Sequence, residues 1–370
     1  MFNRKLLRNL DFTLIALVLV IFTLGLVMIA TATNVNELGL TRQVKIQFIG
    51  FIIGTVMLLC ILAIDYNTFG DFYKSIYVIS ILFLLSVYIP GLGIVRNNAR
   101  SWINLGIIDL QTSEIAKIGF ILSYAKFLEL RKGQLNTIKD LIGPVAFILP
   151  FLLLLLKQPD LGSALVFLSI AFGMLYVSGL NYKIIFAGIV GAVVSLPLIY
   201  KMMKPHQRIR IDAYLNPQDL SLPGNYHVFQ SKITIGSGGV YGKGLFMGQY
   251  HRYDYLPVQE TDFIYAVLGE ELGFVGGAVV IALYFMFLMR MLTISRKSKD
   301  LYGSLVAVGI TFMFAFQIIE NIGMTMGVMP VTGVTLPFIS YGGSSVITSL
   351  LSIGLLLNVY MRRKRISFSL

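Results

Sequence analysis

The chain has 370 residues, of which 56% are hydrophobic and 13% charged, with a formal net charge of +12. So little charge excludes an ordinary soluble fold, which needs a charged shell, and points to a polytopic helical membrane protein. The positive excess is accounted for by membrane topology and anionic lipid rather than nucleic acid, and the single Cys60, inside an apolar run, excludes an intrachain disulfide.

In chain order, apolar runs predict spans over 12–32, 44–64, 74–91, 112–130, 140–157, 161–179, 183–201, 263–290, 303–329 and 342–361. The first follows Arg4, Lys5 and Arg8 but is too long for a cleaved signal, so it reads as a retained span. The expected fold is all-α: about ten transmembrane helices in a single domain over 1–370, with one large external loop at about 202–262. An even count puts both termini on one side. The cluster Arg362, Arg363, Lys364 and Arg365 makes that side cytoplasmic.

Six stretches carry candidate chemistry. In RNNARSWINLG at 96–106, Arg100 and the only tryptophan, Trp102, read either as an interfacial belt or as a flap for an anionic headgroup. Glu114 and Lys117 are three residues apart at the start of the fourth span, share a helical face, and read either as a structural pair or as part of a polar cavity. In KQPDLGS, Asp160 suits the cap of the sixth span.

The external loop holds Lys204, Arg208, Arg210, Lys232, Lys243 and Arg252, the three histidines His206, His227 and His251, and the run GSGGVYGKG at 236–244. Such glycines let backbone amides approach a phosphate, but the run is no Walker A motif, and the histidine spacing argues weakly for a metal. PVTGVTLPFISYGGSS at 330–345, which includes Ser344, reads as a re-entrant bend beside a binding site or as a plain loop. Finally, LPVQETDFIYAVLGEELGFVG places Glu260, Asp262, Glu270 and Glu271 at the head of the eighth span. Helical geometry sets Glu270 about 12 Å below Asp262, with Glu271 pointing elsewhere. Asp262 alone stands at the external mouth, and the two glutamates are expected to pair within the bundle or to line its cavity.

RSWINLG, QTSEIAK, KQPDLG, YHVFQSKITIGSGGVYGKG, LPVQETDFIYAVLGEELG and LPFISYGGSS, in this order and over essentially the whole chain, resemble the SEDS family (shape, elongation, division, sporulation). Thr112 departs from the family's usual proline; threonine also suits a helix start. The resemblance implies a ten-span glycosyltransferase of the bacterial cytoplasmic membrane that polymerises lipid II on the outer face. Its partners would be a class B penicillin-binding protein acting as transpeptidase and further membrane proteins of the elongation machinery. The catalytic aspartate it implies falls on Asp262.

The chemistry fits a single carboxylate. Asp262 would take the proton of the acceptor's 4-hydroxyl as it attacks the donor's anomeric carbon, with inversion, and the pyrophosphate leaves without an acid. Arg208 and Arg210, with Lys117 and Arg100 behind them, are the expected positive groups. Glu114, Trp102, Asp160 and Ser344 complete the substrate-binding candidates. No cofactor is required; a divalent cation between Asp262 and pyrophosphate is compatible with this chemistry, although no spacing argues for one. A lipid II flippase, a structural scaffold, and a division or sporulation paralogue are the competing readings.

Overall fold

The computed structural model describes residues 9–33, 41–96, 99–104, 106, 109–134, 137–202, 205–249 and 256–363. The basic residues Arg4, Lys5, Arg8, Lys364 and Arg365, and Lys204, His251 and Arg252 of the large loop, lie outside them. Each predicted span coincides with a helix: α1 (Phe12–Thr33), α2 (Arg42–Ala63), α4 (Tyr73–Leu85), α5 (Thr112–Glu129), α6 (Ile142–Lys157), α7 (Leu161–Val177), α8 (Tyr182–Met202), α11 (Ile264–Arg296), α12 (Leu301–Thr325) and α13 (Gly343–Met361). Between α2 and α4 lies the short α3 (Tyr66–Asp71), and the large loop forms α9 (Pro205–Leu215) and α10 (Asn225–Ser237). Among the described residues, α1, α2, α11, α12, α13 and the span Ile138–Lys157, which is α6 with the short 3-10 turn before it, are long and apolar enough to cross a membrane, while α4 and α7 are apolar but shorter. The protein is an integral membrane protein.

Side-chain pattern decides where each helix sits. Every residue of α13 is buried, so it is the central helix, enclosed by α2, α5 and α12. By contrast, α2 exposes Phe48, Ile52, Val56 and Leu59 along one stripe, the pattern of a helix that faces lipid. Both ends of the described chain meet on one face. There Arg290 grips Asp11 at 2.8 Å, Arg362 reaches Asp65 at 3.2 Å, and Arg363 donates to the Asn9 carbonyl at 3.1 Å.

Three features build the opposite face, and the sequence pattern indicated none of them fully. The first is an antiparallel sheet, β1 (Gly93–Arg96), β2 (Ala99–Asn104) and β3 (Asp109–Gln111), where an all-α chain was expected. Its cause is the alternation in RSWIN: Ser101 and Ile103 are buried, and Arg100 and Trp102 project to the other side.

The second is residues 330–341, which turn back into the bundle. The Phe338 carbonyl abuts Gly25, well inside α1, and Leu336, Phe338 and Ile339 are fully buried. Non-helical backbone survives at that depth because its polar groups are paired. Tyr284 donates to the Pro337 carbonyl, Leu336 N–H to Ser340 Oγ, and the Gln47 amide spans Ser340 and Gly342.

The third is a break in α11. Gly273, at φ 66° and ψ −165°, divides it into two helices, and the Tyr265 hydroxyl folds back to Gly277. Only glycine takes that conformation readily. The backbone groups freed there are taken up by the glycine-rich run: Phe274 N–H donates to Gly239 O, and Val275 N–H to Val240 O.

Candidate active site

Asp262 lies in the turn just before α11, half-buried, on the face formed by the sheet, the α9–α10 hairpin and the re-entrant segment. Its position is fixed from both sides. Its N–H donates to the Val258 carbonyl, and Asn321 of α12 donates one amide proton to the Asp262 carbonyl at 3.0 Å and the other to Val334 O at 2.8 Å. Gly333 brings the re-entrant backbone so close that a Cβ there would sit 3.6 Å from Asp262 Oδ2. Its neighbours Glu260 and Thr261 are tied to Tyr341 N–H and Ser340 Oγ.

Surrounding protein pushes the Asp262 carboxyl up to about 6, because burial disfavours its charged form. The Thr261 hydroxyl and the charge of Arg210 oppose the rise, and Glu260 adds to it. A carboxyl titrating near 6 is a far better base than a free aspartate at about 3.9.

Arg210, on α9, stands over this turn and donates to the Val331 carbonyl at 3.4 Å. Arg208, two residues earlier, points elsewhere: its guanidinium lies over the Tyr200 ring, 5.6 Å from the centroid, and donates to the Lys201 carbonyl. The structural pair read from the spacing of Glu114 and Lys117 is formed: Lys117 donates to Glu114 Oε1 at 2.7 Å, with 1% and 6% of the two residues exposed.

A second polar cluster lies beside that pair. Asp160 caps α7 through the Ser163 N–H at 3.0 Å, and its other oxygen accepts from Ser163 Oγ, Ser113 Oγ and Gln111 Nε2. Ser344 accepts from the Gln111 N–H at 3.2 Å, so α13, β3 and the starts of α5 and α7 are joined at one point. The re-entrant segment connects this cluster with Asp262: Thr332 and Val334 abut Gly162 of α7, and Gly333 abuts Asp262. Arg100 and Trp102 share one face of β2 above it. Arg100 Nε is buried without a hydrogen-bond partner among the described residues.

The glycine-rich run packs against α11: Lys243 and Gly244 N–H donate to the carbonyls of Glu270 and Glu271, while Gly239 and Gly242 N–H bond within the run. One expectation is corrected: the two glutamates, read as pointing to different faces, both bind one segment. Glu270 takes Lys243 Nζ at 2.7 Å and Gln249 N–H at 2.8 Å, while Glu271 takes Phe246 N–H at 3.0 Å, so both clamp the same segment. The arithmetic from an unbroken helix could not see this, since the break at Gly273 brings residues 238–249 against them.

Sequence reasoning also missed Glu320 and Asn321, the anchors of Thr332 and of Asp262. The signal was present as a polar pair inside the apolar span FQIIENIGMT. Among the described residues, no three His, Cys, Asp or Glu side chains gather as a metal site.

The fold and site together define an integral membrane protein whose half-buried Asp262 lies beside Arg210 of α9. The FtsW/RodA/SpoVE cell cycle protein family matches residues 11–365, and the chain belongs to that family. Stage V sporulation protein E of Bacillus subtilis is 36% identical, over 94% of this chain and 96% of its own. Peptidoglycan glycosyltransferase MrdB of Escherichia coli is 33% identical, over 98% and 96%. Among solved structures, a chain of a peptidoglycan synthase complex described as coordinating polymerization and crosslinking has a TM-score of 0.83 at 32% identity, covering 96% of this chain and 98% of that one. The rod shape determining protein RodA of Thermus thermophilus has a TM-score of 0.72 at 29% identity, over 96% and 98%.

Proposed function

We propose that the protein is a peptidoglycan glycosyltransferase that polymerises lipid II, acting as one membrane domain with Asp262 as general base. The observation that carries this reading is the Asp262 carboxyl itself, raised to about 6 by its surroundings and set beneath Arg210. One carboxylate suffices: the acceptor's 4-hydroxyl attacks the donor's anomeric carbon, its proton passes to Asp262, and the C–O bond to the pyrophosphate breaks with the electron pair leaving on phosphate. Pyrophosphate is already a good leaving group, so no partner acid is needed, and direct displacement gives a β linkage.

Arg210 is the positive group placed to meet the pyrophosphate, with Lys117 and Arg100 behind it and Arg208 supporting the end of α8. Trp102, Asp160, Glu114 and Ser344 shape the polar wall on the other side of the re-entrant segment. Where a divalent cation takes part, Asp262 is the ligand it would share with the pyrophosphate. The large loop faces outward, both termini are cytoplasmic, and the membrane is the bacterial inner membrane, in keeping with the C-terminal basic cluster. Likeness to a rod shape determining protein and to a chain of a synthase complex supports an elongation role beside a class B penicillin-binding protein.

The test is to incubate purified protein with labelled lipid II, with and without that transpeptidase, and to resolve the glycan chains. Asp262→Asn should yield none while remaining in the membrane; near-normal chains from it would sink the assignment.

A further inference from the structure

An open groove lies between α9, α10 and the segment leaving the end of α12, and its lining reaches Val331, two residues before the Gly333 that meets Asp262. Its walls are tied together. Tyr214 donates to the Val328 carbonyl at 2.9 Å and Ser231 to the Thr325 carbonyl at 2.8 Å, so both loop helices are pinned to the end of α12. The Asn225 amide closes the hairpin by donating to the carbonyls of Asn216 and Asp219.

Its lining combines two chemistries. Ala213, Val228, Met329 and Val331 form apolar walls, and Arg210 and Lys232 supply two positive charges. Lys232 is exposed and makes no hydrogen bond or ion pair among the described residues. Its ammonium lies over Gly327, 2.5 Å from where a Cβ would stand, so the glycine makes room for it beside the last carbonyls of α12. A cation there offsets the negative end of the helix and leaves its donors free for an anion. Exposed apolar side chains flank the lining residues in the chain: Leu215 follows Tyr214, Phe229 follows Val228, and Met326 and Val328 bracket Gly327. The groove sits where α12 leaves the membrane, which suits a lipid head better than a soluble anion.

We propose that this groove binds the pyrophosphate head of a polyprenyl-linked substrate, held between Arg210 and Lys232, with its chain leaving over the flanking apolar side chains. The identity of the lipid rests on the glycosyltransferase reading above; the anionic character of the site does not. One consequence links groove and base. Arg210 holds the Asp262 carboxyl down, so an anion that takes up the charge of Arg210 makes Asp262 a stronger base as substrate arrives.

The test uses the full chain in phosphatidylcholine nanodiscs, with a photo-crosslinking residue in place of Val228 and a radiolabelled polyprenyl pyrophosphate as probe. Labelling is expected, about tenfold weaker in Lys232→Ala, the scale of one charge-assisted contact. It should persist in Lys232→Arg and in Asp262→Asn. Labelling that Lys232→Ala leaves unchanged, or that phosphatidylglycerol matches at equal concentration, overturns the proposal. If Asp262→Asn still polymerises lipid II while labelling depends on Lys232, the base assignment falls and the groove stands.

Discussion

Asp262 and the pair Glu270–Glu271 are three acids within ten residues of one another, and the structure treats them in opposite ways. Glu270 and Glu271 are 0% and 1% exposed, and each accepts from a backbone amide just after the glycine-rich run, Gln249 N–H and Phe246 N–H, with Lys243 added on Glu270. Asp262 is held by its backbone, through Val258 and Asn321, and its carboxyl is left to the Thr261 hydroxyl and the field of Arg210. A carboxylate whose oxygens are taken by fixed donors has become part of the scaffold. On the reading proposed above, a clamped backbone and an available carboxyl preorganise Asp262 for the proton that arrives with substrate.

Mutation should separate the two sharply. Asp262→Asn is expected to lower lipid II polymerisation by about a thousandfold, within the range attributed to a general base. It should not unfold the protein. Because the folded carboxyl is raised from 3.8 to about 6, its ionisation costs the fold stability as pH rises through that window. The asparagine variant should therefore melt at or above the parent temperature above pH 6, and an activity loss accompanied by a lower melting point would break the contrast.

Glu270→Ala should do the reverse. Removing a fully buried carboxylate takes away the ion-pair partner of Lys243 and the acceptor of the Gln249 amide, at a cost of about 2–4 kcal/mol. The melting midpoint in detergent should fall, while activity per folded molecule is largely kept. A smaller loss of about 1–3 kcal/mol is expected for Gly273→Ala, which forces a side chain into positive φ and against Gly242 N, 2.3 Å from its Cβ.

Part of this contrast was legible in the sequence. The ten helices were legible because an apolar run of membrane length seldom does anything but span a bilayer. Asp262 was legible too, since it precedes the first helical turn beside a basic loop. The roles of Glu270 and Glu271 were not, because they depend on a break at Gly273 and on a partner segment about 25 residues upstream. Glycine inside an apolar helix is common enough to carry no such message. The sheet was hidden for a similar reason: its strands are three to six residues long, and their pairing is a tertiary fact. The partner of Lys117 was legible, since Glu114 stands three residues away on the same helical face and the pair forms.

Arg210 and Arg208 give the finest version of the comparison, and the smallest effect. Both are exposed or half-exposed cations on α9, yet only Arg210 acts on Asp262. Polymerisation should rise with pH along a limb centred at about 6, as Asp262 loses its proton. Arg210→Gln withdraws a positive charge that favours the ionised carboxylate, so the limb should move to higher pH, by up to about one unit. Arg208→Gln, whose guanidinium is engaged over Tyr200, should leave the limb where it is. Initial rates of chain formation between pH 5 and pH 8 decide the matter. A limb that moves equally in both variants would mean that net charge on the loop, rather than the placement of Arg210, tunes the base.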